Sequence, residues 1–115
     1  MVSIGDEQGA QSGRLALGNL CLNLDTFELT VGSEVVTTSY QEFELLRELM
    51  QNENRIISHD ALTRLLWNDT GKLAVRRLNV LMHRLRTKLA VSAPYRLRTV
   101  RSRGYGLIIP SGAQS

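Results

Sequence analysis

The sequence predicts an α+β domain in which a four-stranded antiparallel sheet precedes three helices and a C-terminal β-hairpin. Three observations predict it. Residues 14–36 alternate apolar and polar side chains and are interrupted repeatedly by Gly, Asn or Asp. Residues 38–90 carry apolar side chains at helical spacing behind Ser and Thr caps. Beyond Pro94, two short extended stretches flank the turn Arg101-Ser102-Arg103-Gly104.

In the first segment, Leu15 and Leu17 lead to Gly18-Asn19, and Leu20, Leu22 and Leu24 lead to Asp25-Thr26. Phe27, Leu29 and Val31 precede Gly32-Ser33, and Val35-Val36 closes the set. Period-2 alternation broken this often indicates short meander strands, whose apolar face other elements must cover. Thr38 with Gln41 and Ser39 with Glu42 offer overlapping capping boxes. Phe43, Leu46, Leu49 and Met50 then recur at helical spacing up to Asn52. Arg55-Ile56-Ile57 is a brief extended piece. Ser58 is the N-cap of a second helix, with Asp60 in its first turn and Leu62, Leu65 and Leu66 facing inward.

A third helix is predicted over Leu73–Ala90. Val75, Leu78, Met82, Leu85 and Leu89 are spaced 3-4-3-4, a buried stripe. Arg76, Arg77, His83, Arg84 and Lys88 occupy the remaining arc, with Asn79, Val80 and Leu81 among them. Arg96–Val100 and Tyr105–Ile109 read as the two strands of the hairpin, with Gly104 available for a positive φ in its turn.

At 115 residues the chain is one domain. Residues 1–13 read as a flexible linker or tag remnant, 14–109 as the folded domain and 110–115 as a tail. The start has neither the basic nor the apolar run of a secretory signal, and no apolar stretch is long enough to span a bilayer. The lone Cys21, read as a small buried hydrophobe, makes no internal disulfide, which suits the cytoplasm. His59 and His83 lack Cys or acid at ligand spacing, so no metal site is predicted. There is no P-loop, dinucleotide fingerprint or nucleophile–base arrangement, so neither a cofactor nor an enzyme is expected.

Charge supplies the functional signal. Up to Gly71, four basic side chains stand against eleven acidic ones, a net of −7. From Lys72 onward ten stand against none, a net of +10. Such segregation builds a face for a polyanion, most often nucleic acid. Helix, helix, basic helix and basic-tipped hairpin is also the order of a winged helix-turn-helix. Its third helix can enter a major groove while the hairpin tip lies over the neighbouring minor groove.

Residues 14–109 resemble the DNA-binding effector domain of OmpR/PhoB-type response regulators. The resemblance rests on Thr38-Ser39-Tyr40-Gln41-Glu42-Phe43-Glu44-Leu45-Leu46 and on Arg55-Ile56-Ile57-Ser58-His59-Asp60-Ala61-Leu62 with Leu66-Trp67. It continues through Arg84-Leu85-Arg86-Thr87-Lys88-Leu89 and Thr99-Val100-Arg101-Ser102-Arg103-Gly104-Tyr105. It implies a bacterial transcriptional regulator that binds tandem half-sites of double-stranded DNA, often as a head-to-tail homodimer.

Carried over by position, Arg84 resembles the arginine that reaches base edges, with help from Asn79, Val80 and Leu81. Arg76 resembles a phosphate-contacting arginine, and Val80 sits where a small apolar residue touches thymine methyls. Arg101 resembles the minor-groove arginine of the wing, with Thr99 beside it on the backbone. Arg77, His83, Lys88 and Arg103 complete the expected DNA surface. Trp67, Asn68, Asp69, Thr70, Gly71 and Lys72 correspond to the family's loop for contacting RNA polymerase.

Departures from the pattern are Thr37-Thr38 before the first helix, His59 for an arginine, Asn79 for an acid, Leu81 for a histidine and Ser102 for a wing glycine. They fall mostly at groove-facing or tip positions, so the operator read is expected to be this protein's own. No receiver segment with a phosphoacceptor aspartate lies in the 115 residues, which points to an excised effector domain or a regulator controlled in another way. Two rivals stand beside this reading: a protein-interaction module whose basic face meets an acidic partner, and an RNA binder, for which exposed stacking aromatics are few.

Overall fold

The computed structural model describes residues 13–110. Strands β1 (Arg14–Leu17), β2 (Leu20–Asn23), β3 (Glu28–Val31) and β4 (Glu34–Val36) pair antiparallel in chain order. The register aligns Leu15, Leu22, Leu29 and Val36 in one row across the sheet. Leu17, Leu20 and Val31 form a second row. Both rows face the core, where Leu20, Leu22, Leu29 and Val31 are buried. Cys21 pairs with Ala16 and Thr30 on the opposite face and is only partly buried, contrary to the expectation of a core position. Side chains alternate faces along a strand, so the leucines on either side of Cys21 decide its direction.

Helix α1 (Tyr40–Gln51) begins at the Ser39 capping box: Ser39 Oγ accepts from the Glu42 amide at 3.1 Å, and Glu42 Oε1 accepts from the Ser39 amide at 2.8 Å. Of the two boxes offered by the sequence, this one forms. Phe43, Leu45, Leu46, Leu49 and Met50 turn onto the sheet and the other helices. Ser58 caps α2 (His59–Trp67) by accepting from the Ala61 amide at 3.0 Å. Leu62 is fully buried and Leu66 partly so, but Leu65 is 47% exposed, against expectation. At about 100° per residue, Leu62, Thr63 and Leu66 share an arc that leaves Leu65 outside. Thr63 takes an inward place instead, its hydroxyl donating to the Asp60 carbonyl at 3.2 Å.

Helix α3 (Lys72–Lys88) lies against both others. Its buried face is Ala74, Leu78, Leu81, Met82 and Leu85, continued by Leu89, while Val75 is only partly buried. Leu81, placed by the sequence on the outward arc, is 5% exposed. A helix packed on two neighbours buries a stripe of about 100° or more, wider than a 3-4 seam, and that width takes in Leu81 beside Met82.

Strands β6 (Arg96–Val100) and β7 (Gly104–Ile108) form the C-terminal hairpin. The piece expected near Arg55–Ile57 becomes β5 (Ile57–Ser58), which pairs with β7 and gives a sheet ordered β5-β7-β6. Positive φ in the hairpin turn falls on Gly104 (159°), as expected, and also on Ser102 (65°). The Arg103 amide closes the turn on the Val100 carbonyl at 2.9 Å. Positive φ at the third turn residue favours glycine, so Ser102 occupies a position of backbone strain. Gly104 is needed for proximity: a Cβ there would stand 1.8 Å from the Ile57 carbonyl oxygen.

Asparagines join the layers at the edges. The Asn19 side chain accepts from the Ala93 amide at 2.7 Å and donates to the Val91 carbonyl at 3.1 Å, docking the first turn on the segment after α3. Asn54 Oδ1 accepts from the Ile109 amide at 3.0 Å and secures the end of the hairpin. The readings of residues 1–12 as linker and 111–115 as tail lie outside the described residues.

Candidate nucleic-acid interface

Opposite its buried stripe, α3 presents Leu73, Arg76, Val80, His83, Arg84 and Thr87, all exposed. At about 100° per residue these fall on one arc of the helix. Lys72 begins the helix, and its Gly71 N-cap supplies no side-chain hydrogen bond. The arc has no acidic member, because none follows Asp69 in the chain. Arg101 and Arg103 are exposed at the tip of the β6–β7 turn. Among the described residues, the side chains of Arg76, His83, Arg84, Arg101 and Arg103 make no hydrogen bond or ion pair.

The two flanks of α3 are occupied differently. Asn79 and Arg86, seven residues apart and so nearly in line, face the hairpin. The Tyr105 hydroxyl donates to Asn79 Oδ1, and Arg86 Nη2 donates to Thr99 Oγ1 at 2.6 Å. Tyr105 is nearly buried and meets the His59 ring edge-on, with centroids 5.2 Å apart. Burial pushes the Tyr105 hydroxyl up from its ordinary value against the opposing pull of the Arg86 charge, so it remains a donor at neutral pH. On the other flank, Arg77 lies 5.9 Å over the Trp67 ring and Lys88 pairs with the carboxylate of Glu42.

The sequence-predicted set therefore divides. Arg76, Val80, His83, Arg84, Arg101 and Arg103 are outward, while Arg77 is exposed but shared with Trp67. Asn79, Lys88 and Thr99 already hold internal partners, and Leu81 is withdrawn into the core. Arg86, Tyr105 and Glu42, which orient the surface, were absent from the predicted set. The seven-residue interval between Asn79 and Arg86 was the available signal for the hairpin flank.

A shallow groove of about 360 Å³ runs beside the arc, lined by Gln41, Trp67, Leu73, Arg76, Arg77, Val80, Leu81 and Arg84. In the Trp67–Lys72 segment, Trp67 ends α2 and packs on the core, and Asn68 closes the helix in the left-handed conformation. Asp69 Oδ1 accepts from the Gly71 amide at 2.9 Å, leaving Asn68–Lys72 on the surface. Among the described residues no group of His, Cys, Asp and Glu could hold a metal ion, and no helix is long and apolar enough to cross a membrane.

A helix with a cationic outer face, seated on two others and bound along one flank to a cationic-tipped hairpin, defines the winged-helix class of DNA-binding domains. The family described as "Transcriptional regulatory protein, C terminal" matches residues 32–107. The chain belongs to that family, the non-enzymatic DNA-binding output domains of OmpR/PhoB-type transcriptional response regulators. It is similar to the sensory transduction protein RegX3 of Mycolicibacterium smegmatis, 32% identical over 104 residues that cover 89% of this chain and 46% of RegX3. It is also 30% identical over 98 residues to the transcriptional regulatory protein PhoP of Escherichia coli, covering 84% of this chain and 44% of PhoP. The chain thus spans under half the length of these curated relatives. Among solved structures it resembles the Klebsiella pneumoniae RstA DNA-binding domain in complex with RstA box. That match has a TM-score of 0.74 and 32% identity, covering 84% of this chain and 98% of that one.

Proposed function

We propose that the outward arc of α3 enters the major groove of double-stranded DNA while the β6–β7 turn reaches the adjacent minor groove. The observation that carries this reading is the acid-free arc of Arg76, Val80, His83 and Arg84, laterally bound to the hairpin that bears Arg101 and Arg103. Arg84 supplies direct base readout and Val80 an apolar contact to thymine methyls. Arg76 and His83 contact the backbone and set register, with Arg77 beside them. Arg101 reads minor-groove shape, supported by Arg103. The RstA DNA-binding domain's complex with RstA box supports DNA as the ligand.

The same reading extends to tandem half-sites, a head-to-tail homodimer on DNA, the Asn68–Lys72 surface as a contact for RNA polymerase, and a cytoplasmic location. In it, Lys88 and Thr99 act on the helix and wing rather than on DNA.

Arg84→Ala is expected to weaken specific binding by about 1–3 kcal/mol and relax preference at one position. Arg76→Ala should instead leave preference intact and reduce the slope of log affinity against log salt by about one. Titrations of a selected duplex, a random duplex and single-stranded RNA over a range of salt concentrations check both. Sequence-blind or absent duplex binding would favour the protein-interaction reading, and tighter binding to RNA would favour the RNA reading.

A further inference from the structure

The bond between Tyr105 and Asn79 bears on which base the helix reads. Asn79 is exposed on the flank of α3 next to the outward arc, yet its carbonyl oxygen is already occupied by the Tyr105 hydroxyl. Its amide nitrogen makes no hydrogen bond among the described residues. The tyrosine has little freedom to release it: the residue is 5% exposed and its ring lies edge-on to His59. Its cross-strand neighbour Thr99 is itself held by Arg86. An asparagine usually recognises adenine with both ends of its amide, accepting from N6 and donating to N7. With one lone pair of that oxygen taken and its orientation fixed by Tyr105, the two free amide hydrogens become the side chain's main offer to a base.

We infer that Tyr105 is a positioning residue for specificity, biasing Asn79 towards donation so that it favours guanine, with its N7 and O6 acceptors, over adenine. The inference rests on the major-groove placement of α3 proposed above. Tyr105 touches no base in this arrangement; it acts only by fixing which end of the Asn79 amide faces the groove. Two substitutions separate this role from simple packing. Tyr105→Phe keeps the ring and releases the Asn79 oxygen, restoring two-ended adenine recognition. Asn79→Asp keeps an acceptor for the Tyr105 hydroxyl but turns a second oxygen outward, which suits the N4 donor of cytosine.

The experiment is selection from a randomised duplex pool by the 115-residue chain and both variants, with thermal melts to establish folding. At one position the unaltered chain should enrich guanine. Tyr105→Phe should shift that position towards adenine by about fivefold or more with an unchanged salt slope, and Asn79→Asp should shift it towards cytosine. Wild-type preference retained in both variants overturns the inference alone, as does its retention in Asn79→Asp if Tyr105→Phe fails to fold. If the unaltered chain enriches no sequence, the groove reading itself falls and takes this inference with it.

Discussion

Gly104→Ala is expected to destabilise the domain by about 3 kcal/mol, the upper part of the range for overpacking a close contact. The added Cβ would lie 1.8 Å from the Ile57 carbonyl oxygen and 2.9 Å from Ser58 Cα. Both are backbone atoms of β5, so no side-chain rotation relieves the clash. The strand must move away from β7, giving up the Ser58–Gly104 pairing. That movement also disturbs the Ser58 cap of α2 and the His59–Tyr105 contact, which lie on the same few residues. For a domain of this size each kcal/mol is worth roughly 4–8 °C, so the midpoint of a thermal melt should fall by more than about 10 °C. Gly106→Ala should behave similarly, because its Cβ would stand 2.3 Å from the Arg55 carbonyl oxygen. Gly71→Ala is the contrasting case: its nearest neighbour would be Asp69 Oδ1 at 3.4 Å, at an exposed helix start. A Gly104→Ala protein melting with the Gly71→Ala protein would refute the close β5–β7 approach.

Such pairs show where sequence reasoning reaches and where it stops. Local periodicity located every element, because alternation and 3.6-residue spacing are properties of neighbours. The capping residues Ser39 and Ser58 were legible for the same reason, since each bonds to an amide three residues ahead. Errors came at the margins of helical arcs. Leu65 and Leu81 are both leucines one step off the centre of an apolar stripe, and only the width of the packing surface sends one out and the other in. Gly104 was recognised for its positive φ, but the left-handed Ser102 and the close approach of β5 to Gly104 were not legible in the sequence. The long-range bonds left no mark in spacing: Asn19 meets Ala93 across 74 positions, and Tyr105 meets Asn79 across 26. The Tyr105–Asn79 bond, with Arg86–Thr99, decides which flank of the cationic helix the hairpin engages. The composition of the candidate surface was therefore legible, but its division into outward and internally engaged residues was not.

Glu42→Ala is expected to cost about 2–3 kcal/mol, because that one buried carboxylate serves two structures at once. It returns to the Ser39 amide in the capping box of α1 and pairs with Lys88 in the last turn of α3. Burial by itself would raise its pKa. The Lys88 hydrogen bond, the Ser39 amide and the charges of Lys88 and Arg84 outweigh burial and hold it below its ordinary value of 4.5. Glu42→Gln separates the two roles, since glutamine still closes the box while losing the charge; about half the penalty should remain. Lys88→Ala should also destabilise, by leaving the buried carboxylate without its cation. The pair Glu42→Gln with Lys88→Met should recover part of that loss, because no buried charge is then unpaired. The pH dependence has a definite sign. A carboxylate with a lowered folded pKa contributes fully above the unfolded value near 4.5 and loses its contribution as pH falls through the folded value. The stability gap between the wild type and Glu42→Gln should thus be constant from neutral pH down to about 5 and close in more acidic solution. Chemical denaturation of both proteins across that range measures it, and a gap that widens on acidification would remove the ionised Glu42–Lys88 pair from the account. Because Lys88 and Arg84 share the last turns of α3, loosening this pair should also reorient the helix on which the proposed base contact depends.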